Sequence, residues 1–309
     1  MSREPRDQGR SIQAKLKNLA NARKEEVHVV LIRYVLECVL FRLARSDHAS
    51  EFLLKGAMLL CAWRDVPRRP TRDLDLLCGA PRSPLHLREV FRAICSTGQH
   101  IDGVSFDPDS VRVESAVGRR DAAVDRVVFG ARLGTAVIGV QVDVGYGDIV
   151  VPAPDRIRLH SMLRNEAAEL LAYPPQVVVA EKFQAMVELG RLNSRMKDYY
   201  DLLVLSDYLA FDGERLVGAV DATFRRRETQ WVGGLEESLD AAYGHGPKRA
   251  AAWSAFLRRT RLELAPADYS DVARRLDRFL GPPAKAVHRS EPFPCSWEPG
   301  VGWAPRNQG

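Results

Sequence analysis

No stretch of this 309-residue chain approaches the roughly 18 consecutive apolar residues that a membrane-spanning helix requires. The opening Met1-Ser2-Arg3-Glu4-Pro5-Arg6-Asp7-Gln8-Gly9-Arg10 is polar and lacks the apolar core of a signal peptide, so the expectation is a cytoplasmic protein with no membrane partner. Cysteine is sparse too. Cys38, Cys61, Cys78, Cys95 and Cys295 are odd in number, scattered and without metal-ligand spacing. They exclude a disulfide framework and read as reduced core thiols. Lysine is also in short supply: eight of the 45 basic residues are lysines and the other 37 are arginines. Three of the eight, Lys55, Lys182 and Lys197, fall in segments with candidate chemistry. There a compact ammonium does a different job from a planar guanidinium. Net charge +5 and a pI near 9.0 permit a nucleic-acid partner without requiring one.

What is present begins with Thr71-Arg72-Asp73-Leu74-Asp75-Leu76-Leu77. Side chains alternate along a strand, so Asp73 and Asp75 share one face and Leu74 and Leu76 the other. Two carboxylates held side by side repel unless a cation lies between them. The pair therefore suggests a divalent metal, most simply Mg²⁺ with Mn²⁺ as the alternative, completed by substrate phosphates. The competing account is the solvated face of an amphipathic strand. A candidate third carboxylate, Asp143 in Val140-Gln141-Val142-Asp143-Val144, sits in the same alternation. Upstream, Leu54-Lys55-Gly56-Ala57 reads as strand, tight turn and helix start, a geometry that offers free N–H groups to a phosphate.

The chain is long enough for two domains. Residues 11–46 predict a helix, and 51–150 mix strands near 51–54, 73–78, 110–116, 124–133 and 136–146 with helices near 57–63 and 85–96. Helical patterns follow at 176–191, 196–210, 213–228, 247–261 and 267–280. The fold class is α/β (α+β): a small mixed sheet with flanking helices over 1–150, then a helical part over 151–280, with the active cleft between them. Residues 281–309, with six prolines, read as a disordered tail whose Trp297 and Trp303 offer a docking role.

Two helical residues are out of place. Lys182 shares a face with Val178, Val179, Ala185, Met186 and Leu189, and no acid lies three or four residues away. It needs a partner from elsewhere or must snorkel to water. Asp198 aligns with Leu202, Leu205 and Leu209. Its ordinary use would be as a first-turn acid on the helix dipole. Lys197 and Asp201 are expected to pair on a neighbouring face, and Lys182 with Asp198 across adjacent helices.

Four segments in this order resemble the AbiEii/AbiGii toxin nucleotidyltransferases of the polymerase-β-like superfamily. They are Leu54-Lys55-Gly56-Ala57, Arg69-Pro70-Thr71-Arg72-Asp73-Leu74-Asp75-Leu76, Ala180-Glu181-Lys182-Phe183-Gln184-Ala185 and Arg195-Met196-Lys197-Asp198-Tyr199-Tyr200-Asp201-Leu202. The family turn usually carries Gly-Gly or Gly-Ser where this chain has Gly56-Ala57, which removes a hydroxyl contact but keeps the backbone donors. The resemblance implies the toxin of a toxin–antitoxin pair, moving a nucleoside monophosphate from an NTP to RNA, in some members to the tRNA 3′ end. It implies Asp73 and Asp75 as catalytic, metal-holding residues with Asp143 as a further ligand. Lys182 would contact the triphosphate, and Asp198 would act as a base or orient Lys182. Lys55, Gly56, Ala57, Thr71 and Arg72 would bind nucleotide, and a cognate antitoxin is the implied protein partner. Arg64, Arg68, Arg69 and Arg72 crowd before the acidic pair and would hold an acceptor backbone. Transfer to a protein hydroxyl or a small molecule, or a non-catalytic module of the same fold, are the alternatives.

Overall fold

The computed structural model describes residues 5–63, 69–97, 102–117, 123–163, 166–262 and 265–306. The chain divides into two units. One comprises Met1–Trp63, Pro70–Gly147 and Asp155–Ala172; the other comprises Arg64–Arg69, Asp148–Pro154 and Tyr173–Gly309.

The first unit opens with α1 (Pro5–Ala22) and α2 (Val27–Ala44). The single helix predicted over 11–46 is interrupted where Lys24 takes a φ of 55°, a left-handed conformation that cannot continue a right-handed helix. Val29 through Leu43 in α2 are all buried, so this helix has no solvent face over that span. Its buried charged side chains have polar partners: Arg42 pairs with Asp102 at 2.9 Å, and Glu37 accepts a hydrogen bond from the Met162 amide at 2.9 Å.

Among the described residues, eight strands form one mixed sheet: β1 (Phe52–Lys55), β2 (Leu74–Cys78), β3 (Val104–Phe106), β4 (Arg112–Val117), β5 (Ala123–Leu133), β6 (Ala136–Tyr146), β7 (Asp155–His160) and β8 (Ala167–Ala172). The order is β3-β5-β6-β2-β1-β8-β7, with β4 also paired to β5. β2 runs parallel to β6 and β1 parallel to β8; the other pairs are antiparallel. Helix α3 (Pro84–Ser96) is capped by Ser83, whose Oγ accepts the His86 amide at 3.2 Å. The helix expected near 57–63 is a 3₁₀ turn over Ala57–Cys61.

Around the expected boundary at 150 the two units interleave: Asp148–Pro154 belongs to the second, and Asp155–Ala172 returns to the first. β8 pairs with β1, setting Leu53 against Leu171 and Leu54 against Ala172, and β7 pairs with β8. Both strands hide from pattern reading. Ala-Ala-Glu-Leu-Leu-Ala in β8 is built of good helix formers. Asp-Arg-Ile-Arg-Leu-His in β7 carries the charges of an exposed edge.

The second unit holds α4 (Pro175–Leu189), α5 (Met196–Tyr208), α6 (Gly213–Arg226), α7 (Leu235–Tyr243), α8 (Pro247–Thr260) and α9 (Tyr269–Arg289). A three-stranded sheet, β11 (Gly302–Pro305), β10 (Cys295–Glu298) and β9 (Phe211–Asp212), completes it. The disordered tail predicted over 281–309 is thus corrected through residue 306. Helix α9 continues through Pro282 and Pro283 because Phe279, Leu280, Pro283, Ala284 and Ala286 on its inner side are buried. That burial outweighs the hydrogen bonds the prolines cannot make. Trp297 is 5% exposed and donates from Nε1 to the Ser206 carbonyl at 2.7 Å. Trp303 donates to the Phe279 carbonyl at 2.9 Å. The docking role of these tryptophans is internal.

Candidate active site

Strand register aligns Lys55 of β1, Asp75 of β2, Asp143 of β6 and Arg126 of β5 in one row across the sheet. Directly opposed residues share a face, so the row alternates cation, acid, acid, cation on one side. The other side carries Leu54, Leu74, Leu76, Val142 and Val144, all buried. Asp73, two residues before Asp75, is half-buried, and its Oδ1 accepts a hydrogen bond from Thr71 Oγ1 at 2.8 Å.

Gly56 ends β1 with φ 71° and ψ −156°, a conformation costly for any residue with a Cβ. A Cβ there would also stand 2.0 Å from Asp75 Oδ2 and 2.7 Å from Asp75 Cβ. Glycine is required twice, once for its backbone angle and once because the turn packs directly on the Asp75 carboxylate. Lys55 Nζ lies 3.8 Å from where a Cβ on Gly145 would stand. Gly145 opposes Leu77 of β2, so the lysine reaches across β2 on the Asp75 face. Ala57 and Thr71 are buried, and Arg72 is exposed.

Asp143 has other partners. Arg126 donates to it from Nε at 2.8 Å and Nη2 at 3.2 Å, and Gln141 Nε2 lies at 3.1 and 3.2 Å. Those hydrogen bonds and the Asp143 charge push the Arg126 guanidinium further up. Among the described residues, Asp73, Asp75 and Asp143 do not gather their ligand oxygens within 4.8 Å of one another. The Arg126 guanidinium matches the Asp143 charge in this structure.

In the second unit, Lys182 of α4 is 13% exposed at its side chain and meets two fully buried acids of α5. Its Nζ lies 3.0 Å from Asp198 Oδ1 and 2.7 Å from Asp201 Oδ2. Each acid has a second cation. Arg69 donates to Asp201 from Nε at 2.8 Å and Nη2 at 3.0 Å, and Arg195 Nε donates to Asp198 at 2.6 Å. Burial pushes the Lys182 ammonium down, but the charges of Asp201 and Asp198 outweigh it and the net shift is upward. Burial likewise pushes both carboxylates up; Lys182, with Arg195 at Asp198 and Arg69 at Asp201, brings them net below the usual range. Three cations against two carboxylates leave the cluster one positive charge, suited to an anionic ligand.

The Lys182–Asp198 contact matches the helix-face argument, but two expectations change. Asp201 does not pair with Lys197; it is buried on Lys182 and Arg69, while Lys197 is exposed. Arg69 therefore has its Nε and Nη2 committed to Asp201 and does not join an exposed arginine cluster. Arg64 and Arg68 lie outside the described residues. Sequence reasoning missed Asp201, Arg69 and Arg195 as members of the Lys182 network. The available signal was spacing: Asp198 and Asp201 are three apart, neighbours on one helix face.

The family model described as nucleotidyl transferase AbiEii toxin, type IV toxin–antitoxin system, matches residues 38–292. Among solved structures, the chain is similar to JHP933 from Helicobacter pylori at 13% identity and a TM-score of 0.47, over 85% of this chain and 92% of that one. It is also similar to an antigenic nucleotidyltransferase-like protein from Paracoccidioides brasiliensis at 17% identity and a TM-score of 0.37, over 68% and 92% of the two chains. No curated protein matches.

Proposed function

The chain belongs to the AbiEii family of nucleotidyltransferase toxins, and from that premise we propose that it moves a nucleoside monophosphate from an NTP to the 3′ end of tRNA and so blocks translation. Membership implies a nucleotide substrate and an antitoxin partner. The observation that carries the reading is the packing of the Gly56 turn on the Asp75 carboxylate. It puts a backbone suited to phosphate beside an acid suited to a cation.

Asp73 and Asp75 are the residues that would hold a divalent metal. They fit: both donors are carboxylate oxygens, and the aligned row of Lys55, Asp75, Asp143 and Arg126 contains no imidazole or thiolate. A hard cation such as Mg²⁺ suits that donor set. When bound, it supplies phosphate neutralisation and a lowered pKa for the attacking hydroxyl. Asp143, held by Arg126, would be a further ligand through its remaining lone pairs. Lys55 adds positive charge beside the Gly56 turn, and the Lys182 cluster, carrying one net positive charge, binds the triphosphate. Asp198 orients Lys182 in this reading. A carboxylate held below its usual range is a weak general base.

The test is to incubate the protein with each α-labelled NTP, total RNA and total protein, then sequence the RNA 3′ ends. Added nucleotides at tRNA 3′ ends, lost with EDTA and in Asp73→Asn, are expected. Label in protein alone, or RNA label indifferent to both treatments, rejects the proposal.

A further inference from the structure

A second group of potential ligands lies elsewhere in the first unit, at the opposite end of β1 from Gly56. Glu51 closes the 3₁₀ turn Ala49–Glu51 that leads into β1, His48 immediately precedes that turn, and His86 sits in the first turn of α3. Glu51 Oε1 is 2.5 Å from His48 Nδ1, and Glu51 Oε2 is 2.6 Å from His86 Nε2. The two imidazole rings meet edge to face with centroids 5.5 Å apart. One ligand atom from each residue falls within 4.8 Å of the others, and among the described residues this is the one group of three that does so.

The backbone around these side chains is fixed. The Glu51 amide donates to the His48 carbonyl at 3.0 Å, and the Gly79 amide donates to the Glu51 carbonyl at 2.8 Å. The His86 amide donates to the capping Ser83 hydroxyl at 3.2 Å. The ligands therefore come from two places, the turn that leads into β1 and the first turn of a capped helix. The side chains are 31%, 25% and 36% exposed for His48, Glu51 and His86, which leaves a path for an ion and space for water. Among the described residues, Glu51 forms its ion pairs with the two histidines and with no arginine or lysine.

We propose that His48, Glu51 and His86 form a transition-metal site of the two-histidine, one-carboxylate type, with Zn²⁺ as the ion it takes best. Donor chemistry separates it from the acidic pair at Asp73 and Asp75. Neutral imidazoles favour Zn²⁺, Co²⁺ and Ni²⁺ over Mg²⁺, whereas two carboxylates favour the hard ion. Three protein ligands leave a coordination position for water or an incoming group. A bound ion ties the loop after α2, the start of β1 and α3 together, and so stabilises the folded chain by mass action. The competing state is proton-mediated, with each imidazole donating an N–H to Glu51.

Tag-free, EDTA-stripped protein titrated with Zn²⁺ and Co²⁺ distinguishes the two. Expected are one Zn²⁺ per chain by elemental analysis, visible Co²⁺ absorption, and a higher melting temperature in Zn²⁺ than in EDTA. The Asp73→Asn/Asp75→Asn double variant should keep all three properties. His86→Gln and Glu51→Gln should each lose at least about tenfold in Zn²⁺ affinity, since loss of a ligand costs no less than loss of a group that holds one. Melting in EDTA shows whether each variant folds, and His48→Gln replaces either one that does not. Undiminished Zn²⁺ affinity in the folded ligand variants, or no bound Zn²⁺ in the wild type, overturns the proposal.

Discussion

Lys182 shows how a single residue's surroundings set what its substitution will do. Its ammonium lies between two fully buried carboxylates, so Lys182→Met removes more than a phosphate contact. Asp198 and Asp201 would each keep one arginine and lose the shared lysine. Breaking a buried ion pair from one side is costly, and the expected loss is about 3 kcal/mol of unfolding free energy. Urea denaturation measures it, alongside lost nucleotidyl transfer. Lys182→Arg should also fail in transfer, because a planar fork does not fit where a point charge meets two acids and, in the proposed reading, a phosphate. Gly56→Ala tests the other side of the proposal. The left-handed angle alone costs more than about 1 kcal/mol, and the new methyl would also collide with Asp75. Loss of both stability and metal-dependent activity is expected. An active, equally stable Gly56→Ala protein would show that the turn need not pack on the carboxylate.

At the scale of elements, α5 binds the Lys182 network together. Asp198 and Asp201 stand one turn apart and face α4 through Lys182 and the segment before Pro70 through Arg69. Their folded-state values are depressed below 3.8. Their contribution to stability is therefore complete above that ordinary carboxylate value and is lost as pH falls through the depressed ones. Lys182 is raised above 10.5. Its contribution is complete below 10.5 and is lost as pH rises through the folded value. The stability gap between wild type and Asp201→Asn should thus stay constant between about pH 5 and pH 9 and narrow in acid. Urea midpoints across that range give the answer; a gap that changes around neutrality would mean that other groups control it.

For the whole molecule, the final residues matter more than their composition suggests. β10 pairs with β9, setting Trp297 against Phe211, and Phe279 stacks on Trp303 with ring centroids 6.1 Å apart and planes 4° from parallel. Truncation after Ser290 removes the buried Trp297 and the half-buried Trp303, both of which pack on Phe279. It should cost at least about 3 kcal/mol, the usual consequence of deleting one large buried aromatic. A truncated chain with an unchanged urea midpoint would show that the C-terminal strands add nothing. No helix among the described residues is long and apolar enough to cross a membrane.

The sequence by itself determined the features with a short period. Alternation around Asp73 and Asp75 separated an acidic face from a leucine face, and the same two-residue period marked Asp143. The 3.6-residue period put Lys182 on an apolar face and so required a distant partner. Four ordered motifs carried the family. Long-range pairing decided the rest. Helix-prone β8 became a strand because β1 offered it a free edge, and a proline-containing helix persisted because its inner face was buried. Asp143 went to Arg126, and Asp201 to Lys182 and Arg69, through contacts that join residues 17, 19 and 132 positions apart. Local spacing states what a residue can offer; only the folded packing decides which neighbour, far along the chain, takes it up.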